Sequence, residues 1–164
     1  MATGRHARTP HPTSIPTAHL VESDRPGSLR LTLHVRGPLT PGEVWERYAD
    51  PSLWPVWGPY IRGVEGLGPR LHAGARGRVL GPLGVVADAV VSAVDEEART
   101  WSWAARSGPF VLRLTHGVES TTLRDGAPGT LARLTVRGAP AIVLGYALPA
   151  TLALTALVRR RIER

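Results

Sequence analysis

One histidine in this chain is placed where it could move a proton. In the run 110–121 apolar and polar residues alternate, so Phe110, Leu112, Leu114, His116 and Val118 share one face. Arg113, Thr115 and Glu119 share the other. If the apolar face turns inward, it carries His116 with it. A neutral imidazole in an apolar pocket is suited to abstracting a proton alpha to a carbonyl, as aldol cyclisation requires. The competing reading is a core histidine hydrogen-bonded to backbone, and it is preferred because the sequence sets no second titratable group beside it. Tyr60 and Tyr146 are candidate proton donors or ligand anchors, and each also suits plain packing. Arg76 and Arg78 share a strand face that could hold a carboxylate or a phosphopantetheine arm, or could lie exposed. Asp88 stands among valines and alanines, either turned inward as a desolvated carboxyl or outward as the polar half of its strand.

The residues that must position these groups are read most clearly from Thr40 to Tyr60. Thr40-Pro41 offers an N-cap hydroxyl and a proline at the first helical position, and Glu43 completes a capping box. Val44 and Tyr48 are one turn apart, which makes a short amphipathic helix. Asp50-Pro51 stops it, and a second short turn carries Trp54 and Trp57. Two tryptophans so close together are too costly to leave in water. With Tyr60 they read as a lid at one end of a ligand tunnel.

Around that segment the pattern has period two. Leu29, Leu31, Leu33 and Val35 alternate with Arg30, Thr32, His34 and Arg36, a half-buried strand. Further strands are expected over 75–80, 85–94, 100–106, 110–121 and 130–137, separated by Gly, Pro and Asp turns that suit antiparallel hairpins. Trp101 and Trp103 share one face of their strand. The first 27 residues, rich in Pro, Thr and His, read as a flexible arm, and residues 28–164 as a single domain. The spacing of His6, His11 and His19 does not suit a metal site.

Composition excludes several classes. There is no cysteine, so neither disulfides nor thiolate chemistry is available, which fits a reducing cytoplasm. All 20 basic residues are arginine, which excludes a Schiff-base lysine and points to GC-rich coding. More than half of the net charge of +7 is terminal: residues 1–28 carry +1 and residues 159–164 carry +3. No basic stripe is interleaved with stacking aromatics, so nucleic acid is not an expected partner. No phosphate loop, GxSxG elbow or metal-ligand spacing is present, and neither a metal nor a nucleotide cofactor is expected.

From Ala139 to Val158 the chain runs 20 residues without a charge and then meets Arg159-Arg160-Arg161. Length and flanks would permit a membrane contact or tail anchor. Six alanines, Gly145 and Pro149 weaken that reading, and burial of an all-apolar helix within a cupping sheet is favoured.

This order of elements resembles the helix-grip fold of the START and birch-pollen-allergen superfamily (SRPBCC), and within it the bacterial polyketide cyclase/dehydrase and lipid-transport group. The residues carrying the resemblance are Leu39-Thr40-Pro41 with Val44-Trp45, Asp50-Pro51 with Trp54-Pro55-Val56-Trp57, and Gly74-Ala75-Arg76-Gly77. Trp101-Ser102-Trp103, His116-Gly117-Val118-Glu119 and Gly129-Thr130-Leu131 complete them. The resemblance implies an α+β fold in which a curved antiparallel sheet of about seven strands wraps a long C-terminal helix, with two short helices after the first strand. It also implies a hydrophobic small-molecule ligand, polyketide- or lipid-like, in an internal cavity, bound by a monomer or homodimer. Some members of that superfamily cyclise polyketides and others carry lipids. On this reading His116, Tyr60 and Tyr146 are the catalytic candidates. Trp54, Trp57, Trp101, Trp103, Phe110, Leu112, Leu114, Leu148 and Leu152 would line the cavity.

Overall fold

The computed structural model describes residues 16–22 and 25–159. Eight strands form one antiparallel sheet: β1 (Thr17–Glu22), β2 (Leu29–Gly37), β3 (Gly63–Glu65), β4 (Arg76–Leu80), β5 (Val86–Asp95), β6 (Thr100–Ser107), β7 (Phe110–Thr122) and β8 (Pro128–Gly138). Their order across the sheet is β1-β2-β8-β7-β6-β5-β4-β3. Helices α1 (Pro41–Ala49) and α2 (Trp54–Trp57) link β2 to β3, and α3 (Pro140–Leu157) closes the chain. This is the helix-grip architecture, with one strand more than expected.

Two strands, the three-residue β3 and the longer β1, fall outside the runs expected from the sequence, and the more unexpected is β1. It lies inside the stretch expected to be a flexible arm, and residues 17–22 correct that expectation by pairing with β2 from Thr17↔His34 to Glu22↔Leu29. Its exposed Leu20 and Val21 gave no inward face to read, because an edge strand held by ladder hydrogen bonds alone carries little burial pattern. The histidines at positions 6 and 11 lie outside the described residues. His19 faces His34 edge-on at 6.0 Å.

The segment after β2 folds locally as its residues dictate. The Thr40 hydroxyl accepts from the Glu43 N–H at 3.3 Å, and the Glu43 carboxylate accepts from the Thr40 N–H at 2.8 Å, a complete capping box. The other end of α1 is satisfied just as fully. Its last carbonyls, which have no helical partner, accept from Asp50 N–H (onto Glu46), the Trp57 indole (onto Arg47, 3.0 Å), the Trp54 indole (onto Tyr48, 2.9 Å) and Leu71 N–H (onto Ala49). The indoles of both tryptophans are therefore built into the cap of α1.

Arg47 ties α1 to α3. Its guanidinium donates to the carbonyls of Leu157 (2.8 Å), Arg159 (3.0 Å) and Ala156 (3.2 Å), where the helix dipole is negative. Gly37 lies directly against Val158 there, so closely that any side chain on Gly37 would overlap the Val158 carbonyl. Thr130 fixes the same corner by donating to the Leu39 carbonyl at 2.6 Å.

Helix α3 corrects the expectation of all-round burial. Val143, Ala150, Leu154 and Leu157 pack inward, while Leu144, Leu148 and Leu152 face outward. By length and composition α3 is apolar enough to cross a membrane, and only 22% of it is buried.

Candidate functional site

Between the concave face of the sheet, α2 and the inner side of α3 lies a cavity of about 410 Å³. Each wall follows from side-chain periodicity. Period two along β6 turns Trp101, Trp103, Ala105 and Ser107 inward, and along β7 Phe110, Leu112, Leu114 and His116. Period 3.6 along α3 supplies Ile142, Tyr146, Pro149, Ala150, Ala153 and Leu154. Trp54 and Trp57 form the floor beside Tyr48. Tyr60, Val85 and Phe110 line the cavity yet remain exposed, which marks its mouth.

Two expected lining residues are elsewhere. Leu148 is 65% exposed and Leu152 43% exposed, and neither touches the cavity. Each stands two residues from an inward position (Tyr146 and Ala150), and at 100° per residue that turns them to the opposite side. A helix apolar on every face gives no moment by which to orient it.

The aromatic residues form one cluster. Trp101 stacks on His116 at 4.4 Å between ring centroids and on Trp103 at 5.7 Å. Tyr48 meets His116 edge-on at 4.9 Å and Trp57 at 5.5 Å, and Trp54 packs on Trp101 at 5.4 Å. Such edge and stacked pairs add to the area term of burial.

His116 is held inside this cluster at 6% exposure, with both ring nitrogens occupied. The Trp103 indole N–H donates to Nε2 at 3.1 Å. An indole nitrogen only donates, so Nε2 must be the unprotonated nitrogen. The proton then sits on Nδ1 and is donated to the Tyr48 hydroxyl, 3.1 Å away. Burial lowers the His116 pKa from 6.5 to about 3. The lone pair that a general base would use is already spent on Trp103, and the imidazolium is strongly disfavoured. The two bonds of His116 cross-link α1, β6 and β7.

Tyr48 is the partner that the sequence did not reveal. The two residues meet only in the fold, 68 positions apart. One signal was present: a tyrosine on the inward face of α1 brings a hydroxyl that must find a partner when buried. Burial, then Tyr146, raises its pKa further, so the phenol stays protonated.

The depressed His116 pKa makes stability pH-dependent. Unfolding frees an imidazole that takes up a proton below about pH 6.5, while the folded group stays neutral to about pH 3. The contribution is therefore complete above pH 6.5 and is lost as pH falls from there toward 3, at about 1.4 kcal/mol per pH unit. Urea unfolding of the wild type and of His116→Gln between pH 4 and 7 should show that extra slope in the wild type alone.

Tyr146 projects from α3 into the cavity, and its hydroxyl has no hydrogen-bond partner among the described residues. Burial pushes its pKa up to about 12, so it remains a neutral O–H donor. Tyr60, 44% exposed, stands at the mouth, away from His116's bonded pair. Arg76, Arg78 and Asp88 are all exposed and outside the cavity, and Arg78 pairs with Glu65 at 2.6 Å. Sheet alternation puts them on the convex face, so the two arginines hold no anion within the cavity and Asp88 stands on the outer side of its strand. Among the described residues no group of three His, Asp or Glu gathers to hold a metal.

A sheet gripping a C-terminal helix around an apolar cavity defines the helix-grip class. The chain belongs to the polyketide cyclase/dehydrase and lipid-transport family of the SRPBCC superfamily, whose profile matches residues 28–164. Among solved structures it is similar to CalU16 from Micromonospora echinospora, at 16% identity over 87% of this chain and 81% of that one, with a TM-score of 0.67. It is also similar to Ara h 8.0201, at 15% identity over 80% of this chain and 95% of that one, with a TM-score of 0.63. No curated protein sequence matches it.

Proposed function

We propose that this protein holds a hydrophobic, polyketide- or lipid-like small molecule in its internal cavity, and that it acts as a binding or carrier protein rather than by histidine catalysis. The observation that carries this reading is the pairing of a roomy apolar cavity with a histidine already bonded at both nitrogens. Cavities with largely apolar walls and few polar groups are the usual form of small-molecule sites. A cytoplasmic setting accords with the cysteine-free sequence.

A cyclase reading keeps one support, the unpartnered Tyr146 hydroxyl, which could polarise a substrate carbonyl while the walls fold the chain. Native mass spectrometry of the purified protein separates these outcomes. A retained small molecule, released unchanged on denaturation, is the expected result. A released product lighter than the bound compound by one water would favour the cyclase. A bare chain that takes up no apolar compound on addition would overturn both.

A further inference from the structure

We infer that the cavity selects an uncharged ligand bearing a hydrogen-bond acceptor of the carbonyl type, seated against the Tyr146 hydroxyl, and rejects organic acids. This rests on the reading of the cavity as a ligand site. Two observations support it, and both concern polar groups.

The first is the absence of ions. None of the residues lining the cavity is Arg, Asp or Glu, and the chain contains no lysine. The imidazole of His116 is neutral and fully bonded. A carboxylate entering this space would lose its hydration with no cation to replace it, at a cost far above that of a neutral group. The arginines suited to anions, Arg76 and Arg78, point away from the cavity.

The second is the short supply of free donors. The indoles of Trp54, Trp57 and Trp103 donate to Tyr48, Arg47 and His116. The Trp101 indole N–H has no partner among the described residues, but its nitrogen is buried with less than 1 Å² exposed, so it presents no surface to a ligand. The hydroxyls of Thr151 and Thr155 bond back to their own helix. Tyr60 sits at the wet mouth, and Ser107 lies beside the β6–β7 turn that forms part of it. Tyr48 accepts from the His116 Nδ1–H and keeps an O–H of its own, but its side chain is wholly buried among the aromatic rings. That leaves Tyr146 as the O–H open to a ligand inside the cavity. A phenol kept protonated by burial offers a donor, so an acceptor on the ligand satisfies it, whereas a hydrocarbon leaves it unpaired.

Fluorene, 9-fluorenone and fluorene-9-carboxylate share one tricyclic skeleton and differ at C9, which carries only hydrogen in the first, a ketone oxygen in the second and an anionic carboxylate in the third. Their binding to the wild type and to Tyr146→Phe is followed by loss of tryptophan emission at pH 7. Fluorenone should gain about threefold to tenfold over fluorene in the wild type relative to the same ratio in Tyr146→Phe. The carboxylate should bind at least about 100-fold more weakly than fluorenone. If fluorenone's advantage is the same in both proteins, or if the carboxylate binds as well, the selectivity is refuted while the cavity stands. If no member of the series binds, the ligand reading itself fails.

Discussion

Trp54→Ala is expected to lower the stability of the fold by about 3–5 kcal/mol, the range for deleting a buried tryptophan side chain. Trp54 is 1% exposed and packs on Trp57, Trp101 and Trp103. Its indole is also the partner of the Tyr48 carbonyl at the end of α1. Truncation opens a void beneath the cavity and strips a helix terminus of a hydrogen bond in one step. Against a total stability of about 5–15 kcal/mol for a domain, this is a large share. The melting temperature should drop by about 10 °C or more. Trp54→Phe keeps much of the volume and loses the donor, so it should fall between wild type and alanine. Equal melting of all three proteins would mean that the α1–α2 corner does not support the core.

The second large effect concerns binding rather than folding. Ala105 on β6 and Ala153 on α3 face the same cavity from opposite walls. Replacing both by phenylalanine fills that space with side chains, and growth into an empty cavity avoids the overpacking cost of a filled core. The double variant should fold and melt near the wild type. Its affinity for 9-fluorenone should fall by about 100-fold or more, because a ligand gains its binding energy from the same apolar walls. Tryptophan-emission titrations of the two proteins measure this directly. Undiminished binding would place the ligand outside the cavity, the outward leucines of α3 being the nearest apolar alternative.

What the sequence disclosed was governed by how local each cause is. The Thr40–Glu43 capping box and the stop at Asp50-Pro51 depend on neighbours within a few residues, and both are present as read. The inward faces of β6 and β7 were legible because alternation fixes which residues share a side. Leu148 and Leu152 were misplaced because α3 is apolar on all faces, and only docking against β2, β8 and α2 decides which side turns in. Strand β1 was hidden because its stability comes from pairing along β2 rather than from a buried face. The role of His116 turned on Tyr48 and Trp103, which lie 68 and 13 residues away in the chain. No local pattern announces that both nitrogens are taken. The sequence left His116 between a base and a core histidine, with the core reading preferred, and its two bonds support that preference.

The proposed seating of a ligand carbonyl against Tyr146 is tested most directly by a crystal structure of the protein soaked with 9-fluorenone. The ligand should lie between the Trp101–Trp103 face of β6 and the Tyr146–Ala153 side of α3, with its carbonyl within hydrogen-bonding distance of the Tyr146 hydroxyl and the His116 bonds unbroken. Ligand found only on the outer surface of α3, or a cavity closed by its own side chains, would contradict the account.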